Sequence, residues 1–119
     1  MVAERYSTTF ESVTVTATTG GSSGNVLYTV PSNHDATIDY LGVSNGGTSS
    51  QKITIEIYHA DDTNYHNLVL EHSVAGNDTY HLLNANRIHL HAGDKVVCSK
   101  DGGTFDVSLS ARVFFTSTR

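Results

Sequence analysis

The chain has 119 residues, seven Lys/Arg against twelve Asp/Glu for a formal charge of −5, and a single cysteine. One domain of ordinary size is the expectation, with no internal disulfide to staple it. The seven basic residues are scattered, which excludes the basic stripe of a direct nucleic-acid surface and the cluster that anionic lipid requires. No apolar run reaches the roughly 20 residues of a membrane-crossing helix. The opening Met1-Val2-Ala3-Glu4-Arg5-Tyr6 carries no signal-peptide core, which predicts retention in the cytoplasm or assembly there into something larger.

Period-2 alternation dominates from the start. A first strand is expected over residues 5–18, with Val13, Val15 and Ala17 on one face and Thr14 and Thr16 on the other. A Gly/Ser loop follows at 20–25. The second strand, residues 26–30, ends at Pro31, which has no amide hydrogen for a ladder. A third strand spans 36–44, with Ile38 and Tyr40 on one face and Leu41 and Val43 on the other. The fourth, 52–59, sets Ile53, Ile55 and Ile57 against Thr54, Glu56 and Tyr58.

In the fifth strand Leu68, Leu70 and Val74 share a face with His66 and His72. Residues 80–83 and 88–90 read as one bent strand. Tight turns are expected at 91–94 and 100–103, the latter with glycines at positive φ. The last strand turns Phe105, Val107, Leu109, Ala111, Val113 and Phe115 inward. With turn residues closing each short strand and no crossover helix, the expected fold is all-β. It is an antiparallel β-sandwich, jelly-roll or Ig-like, of about eight strands. Residues 1–10 are expected to form an N-terminal arm or lead-in to the first strand, and residues 11–119 the single sandwich domain.

Seven histidines are the obvious chemical candidates. His89 and His91 lie two apart, so a strand puts both imidazoles on one face, where they could hold Zn²⁺ if His81, Asp94 or Glu71 joined them. Against this, CxxC and HExxH spacings are missing, so the expectation is no resident metal and no cofactor, with His81, His89 and His91 as the residues to watch. Several histidines at one contact would also repel each other once protonated. Asp61-Asp62-Thr63-Asn64 offers oxygens for Ca²⁺ but reads as a solvated turn. Cys98, within Val96-Val97-Cys98, reads as a buried thiol. No GxSxG elbow or other nucleophile constellation appears, and the expectation is a non-enzyme without catalytic residues. Val2, Arg5, Tyr6, Phe10, Tyr58 and Tyr65 are the candidate contact residues.

The run Tyr28-Thr29-Val30-Pro31 leads to Ala36-Thr37-Ile38-Asp39-Tyr40-Leu41-Gly42-Val43-Ser44-Asn45, then to the alternating Ile53-Thr54-Ile55-Glu56-Ile57. A turn Leu90-His91-Ala92-Gly93-Asp94-Lys95-Val96 and the closing strand 105–115 complete a pattern over residues 26–115. It resembles the small virion β-sandwich proteins of tailed bacteriophages. That resemblance implies a structural protein of the virion, assembled in the host cytoplasm. Its role would be capsid decoration (a cement protein), binding the major capsid protein or other virion proteins as a homo-oligomer, with a trimer as the expected form. Alternatives are a tail, neck or fibre accessory protein, or a carbohydrate-binding host-adhesion module.

Overall fold

The first half of the chain pairs with the second half in reverse order, as a long hairpin folded over on itself. The computed structural model describes residues 6–82 and 87–116. Among these are nine strands: β1 (Tyr6–Val15), β2 (Asn25–Thr29), β3 (His34–Asn45), β4 (Gln51–His59), β5 (Asn64–Val74), β6 (Thr79–His81), β7 (Ile88–Leu90), β8 (Lys95–Lys100) and β9 (Phe105–Phe115). β1 pairs with β9, β2 with β8, β3 with both β6 and β7, and β4 with β5. Rolling this ribbon adds the β3–β9 and β4–β8 pairings. The result is two antiparallel sheets, β1-β9-β3-β6 with β7 also on β3, and β2-β8-β4-β5. This is a jelly-roll β-sandwich, in which β6 and β7 share one strand position along the same edge of β3. The domain is elongated, 53 × 28 × 20 Å.

The core is the set of side chains that alternation turns inward from both sheets. Ile53 and Ile55 from β4, and Phe105, Val107, Leu109 and Ala111 from β9, are fully buried. They meet Val15, Ile38, Leu41, Val43, Leu90 and Val96. Burying apolar surface at about 25 cal/mol per Å² is what fixes the register, since a one-residue slip would expose each of these.

Three expectations are corrected by bulges and by the end of the sandwich. In β3 the register shifts between Ile38 and Tyr40. The extra residue moves Leu41 and Val43 onto the face of Ile38, and all three are buried. In β5 two shifts, between the partners of Ile53 and Ile55 and of Ile55 and Glu56, break the even-number pattern. Val69 is therefore the buried residue, while Leu68 and Leu70 are exposed. Glu71, in the bulge between His72 and Val69, has φ 47°. Phe115, the last residue of β9, is 63% exposed rather than inward. The first strand begins at Tyr6 and stops at Val15, and Tyr6 to Phe10 are paired to β9 from Phe114 to Ser110.

Two buried polar side chains join the sheets. Asn45, at the end of β3, donates to the carbonyls of Ser49 and Val74 and accepts the Gly47 amide, all at 2.9 Å. Asp94, in the β7–β8 turn, accepts the amides of Ala60 and His91 at 2.9 Å. Its turn is closed by Gly93 at φ 86°, a conformation open to glycine without steric penalty.

Candidate functional site

One end of the sandwich gathers most of the unusual side chains, because several strands begin or end there. His34 opens β3, His59 closes β4, His66 lies near the start of β5, and His89 and His91 flank the end of β7. β3 and β7 pair with Thr37 opposite His89 and Ala36 opposite Leu90. Residues two apart on a strand share a face, so Thr37 and Asp35 look outward from β3 beside His89 and His91.

Asp35 sits between the two imidazoles. One carboxylate oxygen lies 3.5 Å from His89 Nε2 and the other 3.3 Å from His91 Nδ1. The rings are edge-to-face, with centroids 5.2 Å apart. One donor atom from each of the three residues lies within 4.8 Å of the others. His89 Nδ1 is 3.2 Å from the Thr37 hydroxyl, which orients that ring. His91 is held through its backbone amide by the buried Asp94 carboxylate, and Leu90 between them is anchored in the core.

The sequence brought His89 and His91 to notice, but their partner is neither His81, Asp94 nor Glu71. His81 packs against Tyr40 further along β3, ring centroids 5.7 Å apart. Asp94 is buried in its turn, with His59 Nδ1 3.7 Å away, and Glu71 lies in the β5 bulge. Asp35 went unseen because its closeness to His91, 56 positions on, depends on β7 docking against β3. The remaining histidines have separate partners. His59 and His66 meet edge-on at 5.0 Å, and His72 stacks on Tyr80 at 4.0 Å, joining β5 to β6 across the edge of the sandwich.

Asp62 forms a turn with its neighbours: its oxygens accept the Asn64 amide and contact His66 Nε2, both at 3.0 Å. The hydrogen bond with His66 holds its carboxyl below the usual carboxylate range. Asp39, at the β3 bulge, accepts from Arg112 Nε and Nη2 at 3.0 Å and from Arg87 Nε at 2.9 Å. These guanidinium contacts, Arg112 first, hold its carboxyl low. Cys98 is fully buried, and burial pushes its thiol up to about 12, well away from the electropositive, open setting of a reactive cysteine.

Of the candidate contact residues, Val2 and Arg5 lie outside the described residues. Tyr6 and Phe10 are exposed on the outer face of β1, at 51% and 67%, with Tyr6 against Phe114 at 5.5 Å. Tyr58 and Tyr65 are register partners on β4 and β5, rings 4.8 Å apart, with the Lys95 ammonium 5.2 Å from the Tyr58 ring. A groove of about 360 Å³ on the outer face of the second sheet is lined by Lys52, Glu56, Glu71, Lys100 and Asp101 among others. Charges of both signs line it, and Glu56 within it accepts the Gly21 amide at 2.8 Å.

No family model matches the sequence, and no curated protein matches it. Among solved structures, the chain is similar to a subunit of Bacillus endospore appendages, which form a family of disulfide-linked pili. The likeness covers 98% of this chain and 93% of that one, with a TM-score of 0.55 and 14% identity; at that identity it is a likeness of fold. It overturns the resemblance to tailed-phage virion proteins. With that go the capsid-decoration role and its tail, neck or adhesion alternatives, the capsid partners and the virion location. The residues that carried the resemblance explain the error. Asn45 and the Gly93-Asp94 turn are joints between the sheets, required by closing such a sandwich and silent about the assembly it enters. What the chain shares, nearly from end to end, is the fold of a structural pilus subunit.

Proposed function

We propose that this protein is a non-enzymatic structural subunit that polymerises with copies of itself into a fibre, in the manner of a surface appendage outside the cell. The observation that carries this reading is the likeness to a pilus subunit across almost the whole of both chains. Assembly of like with like was expected from the sequence, and an open polymer replaces the closed trimer.

The covalent link named for the similar pili does not transfer to Cys98. A disulfide-linked chain of subunits needs at least two thiols in each, and the 119 residues hold one, fully buried. Cys98 therefore cannot carry such a chain, and the sheet edges are the natural place for a joint. β2 is five residues long with a register shift, and β5 is broken by two. β1 offers ten residues in unbroken register and, among the described residues, pairs on one side. Glu11 on its inward side discourages indiscriminate pairing, and Tyr6 and Phe10 give its outer face apolar anchors.

Electron microscopy and light scattering of the purified chain over a concentration series test the reading. Filaments are expected, and a monodisperse monomer or closed ring at every concentration would refute it. Thr8→Pro and Thr9→Pro locate the joint. Neighbouring amides of an edge strand alternate in direction, so one variant loses a bond to β9 and melts lower. The other keeps its melting temperature and loses filaments. Filaments from both variants would rule out the β1 edge.

A further inference from the structure

We propose that Asp35, His89 and His91 form a three-ligand site for Zn²⁺, with a fourth coordination position open to solvent. The placement of the donor atoms carries the proposal: one from each of the three residues lies within 4.8 Å of the other two. Charge-assisted hydrogen bonds between a nitrogen and a carboxylate run at about 2.7–2.9 Å. The carboxylate oxygens of Asp35 instead stand 3.5 and 3.3 Å from His89 Nε2 and His91 Nδ1. Zinc binds imidazole nitrogen and carboxylate oxygen at about 2.0–2.2 Å, which places two tetrahedral ligands about 3.4 Å apart. Oδ2 of Asp35 faces His89 and Oδ1 faces His91, each near that spacing, and an ion between the three residues would draw donors that already lie within 4.8 Å of one another.

The ligand set selects the ion. Two imidazoles and one carboxylate suit Zn²⁺ and its transition-metal neighbours, while Mg²⁺ and Ca²⁺ require oxygen ligands. The surroundings are those of a held site. Thr37 orients His89 through its far nitrogen, the outer-shell contact that metal-binding histidines commonly use. The Asp94 carboxylate fixes the backbone of His91, and β7 is locked to β3 by the pairs Ile88–Ile38 and Leu90–Ala36 on either side of His89. All three side chains are partly exposed, at 28%, 52% and 64% for Asp35, His89 and His91, so water or a donor from another molecule can complete the shell. This inference stands apart from the fibre reading, since every ligand comes from one chain.

The test is calorimetric titration of the metal-free full chain with ZnCl₂, with melting temperature followed in parallel. One ion per chain and a rise in melting temperature are expected, with no response to MgCl₂ or CaCl₂. Asp35→Asn, His89→Ala and His91→Ala should each weaken Zn²⁺ binding at least about tenfold, with unchanged circular dichroism. Thr37→Val should weaken it by about tenfold through loss of ring orientation. His81→Ala and His59→Ala should bind as the wild type does. Absence of heat and of any melting shift with Zn²⁺ would overturn the proposal. So would undiminished binding in Asp35→Asn and His89→Ala, which would assign the ion to other histidines.

Discussion

Asn45 donates its side-chain amide to the carbonyl oxygen of Val74 at 2.9 Å, tying the end of β3 in one sheet to the end of β5 in the other. A second hydrogen of the same amide goes to Ser49, and its oxygen takes the Gly47 amide. One buried side chain therefore satisfies three backbone groups at the seam.

Asn45→Ala removes all three bonds and leaves backbone groups unpaired. Unmet buried groups cost about 1–3 kcal/mol each, and water entering the vacated space offsets part of that. A loss of about 2–4 kcal/mol in urea unfolding is expected. Asn45→Asp, which sets a carboxylate against two carbonyls, should be at least as damaging. Wild-type stability in either variant would show that the seam is held elsewhere.

Gly76 approaches the backbone of Thr48 and Ser49 so closely that a Cβ there would overlap the Thr48 carbonyl. Backbone on both sides cannot swing away as a side chain can. Gly76→Ala should lower stability by about 1–3 kcal/mol, the range for overpacking. Gly46→Ala, whose added carbon would meet nothing nearer than 3.7 Å, should change it little. Equal melting temperatures for the two variants would contradict this.

Asp39 supports the acid side of the stability profile. Its carboxyl is lowered by Arg112 and Arg87. The contribution is present above the ordinary carboxylate value near 3.8 and is lost as pH falls through the depressed one. Asp39→Asn should destabilise by about 1 kcal/mol at pH 7, screening of a partly exposed pair considered. The difference from wild type should close as pH is taken below 3.8. A gap constant across pH would mean that the side chain acts by shape alone.

Cys98 should resist thiol reagents in the folded protein and react once denaturant exposes it, since burial pushes the thiol up to about 12. Cys98→Ala should still assemble, and reducing agent should leave wild-type assemblies intact. Dissolution of filaments by a reductant would place a disulfide in the joint.

Local alternation determined a good deal. The apolar faces of β4 and β9 follow from side chains pointing to opposite faces every second residue, the glycines at tight turns from their freedom at positive φ, and the burial of Cys98 from its place in an apolar run. Long-range pairing decided the rest. The bulges at Asp39 and in β5 reverse that parity, and a bulge exists only relative to the strand beside it. Asp35 meets His89 and His91 because the rolled ribbon lays β7 against β3, a closure between segments more than fifty positions apart. A period of two residues carries no information about which distant strand will be the neighbour. The alternating pattern thus specifies a sandwich, while its joints and its metal-binding corner arise from how the ribbon folds over itself.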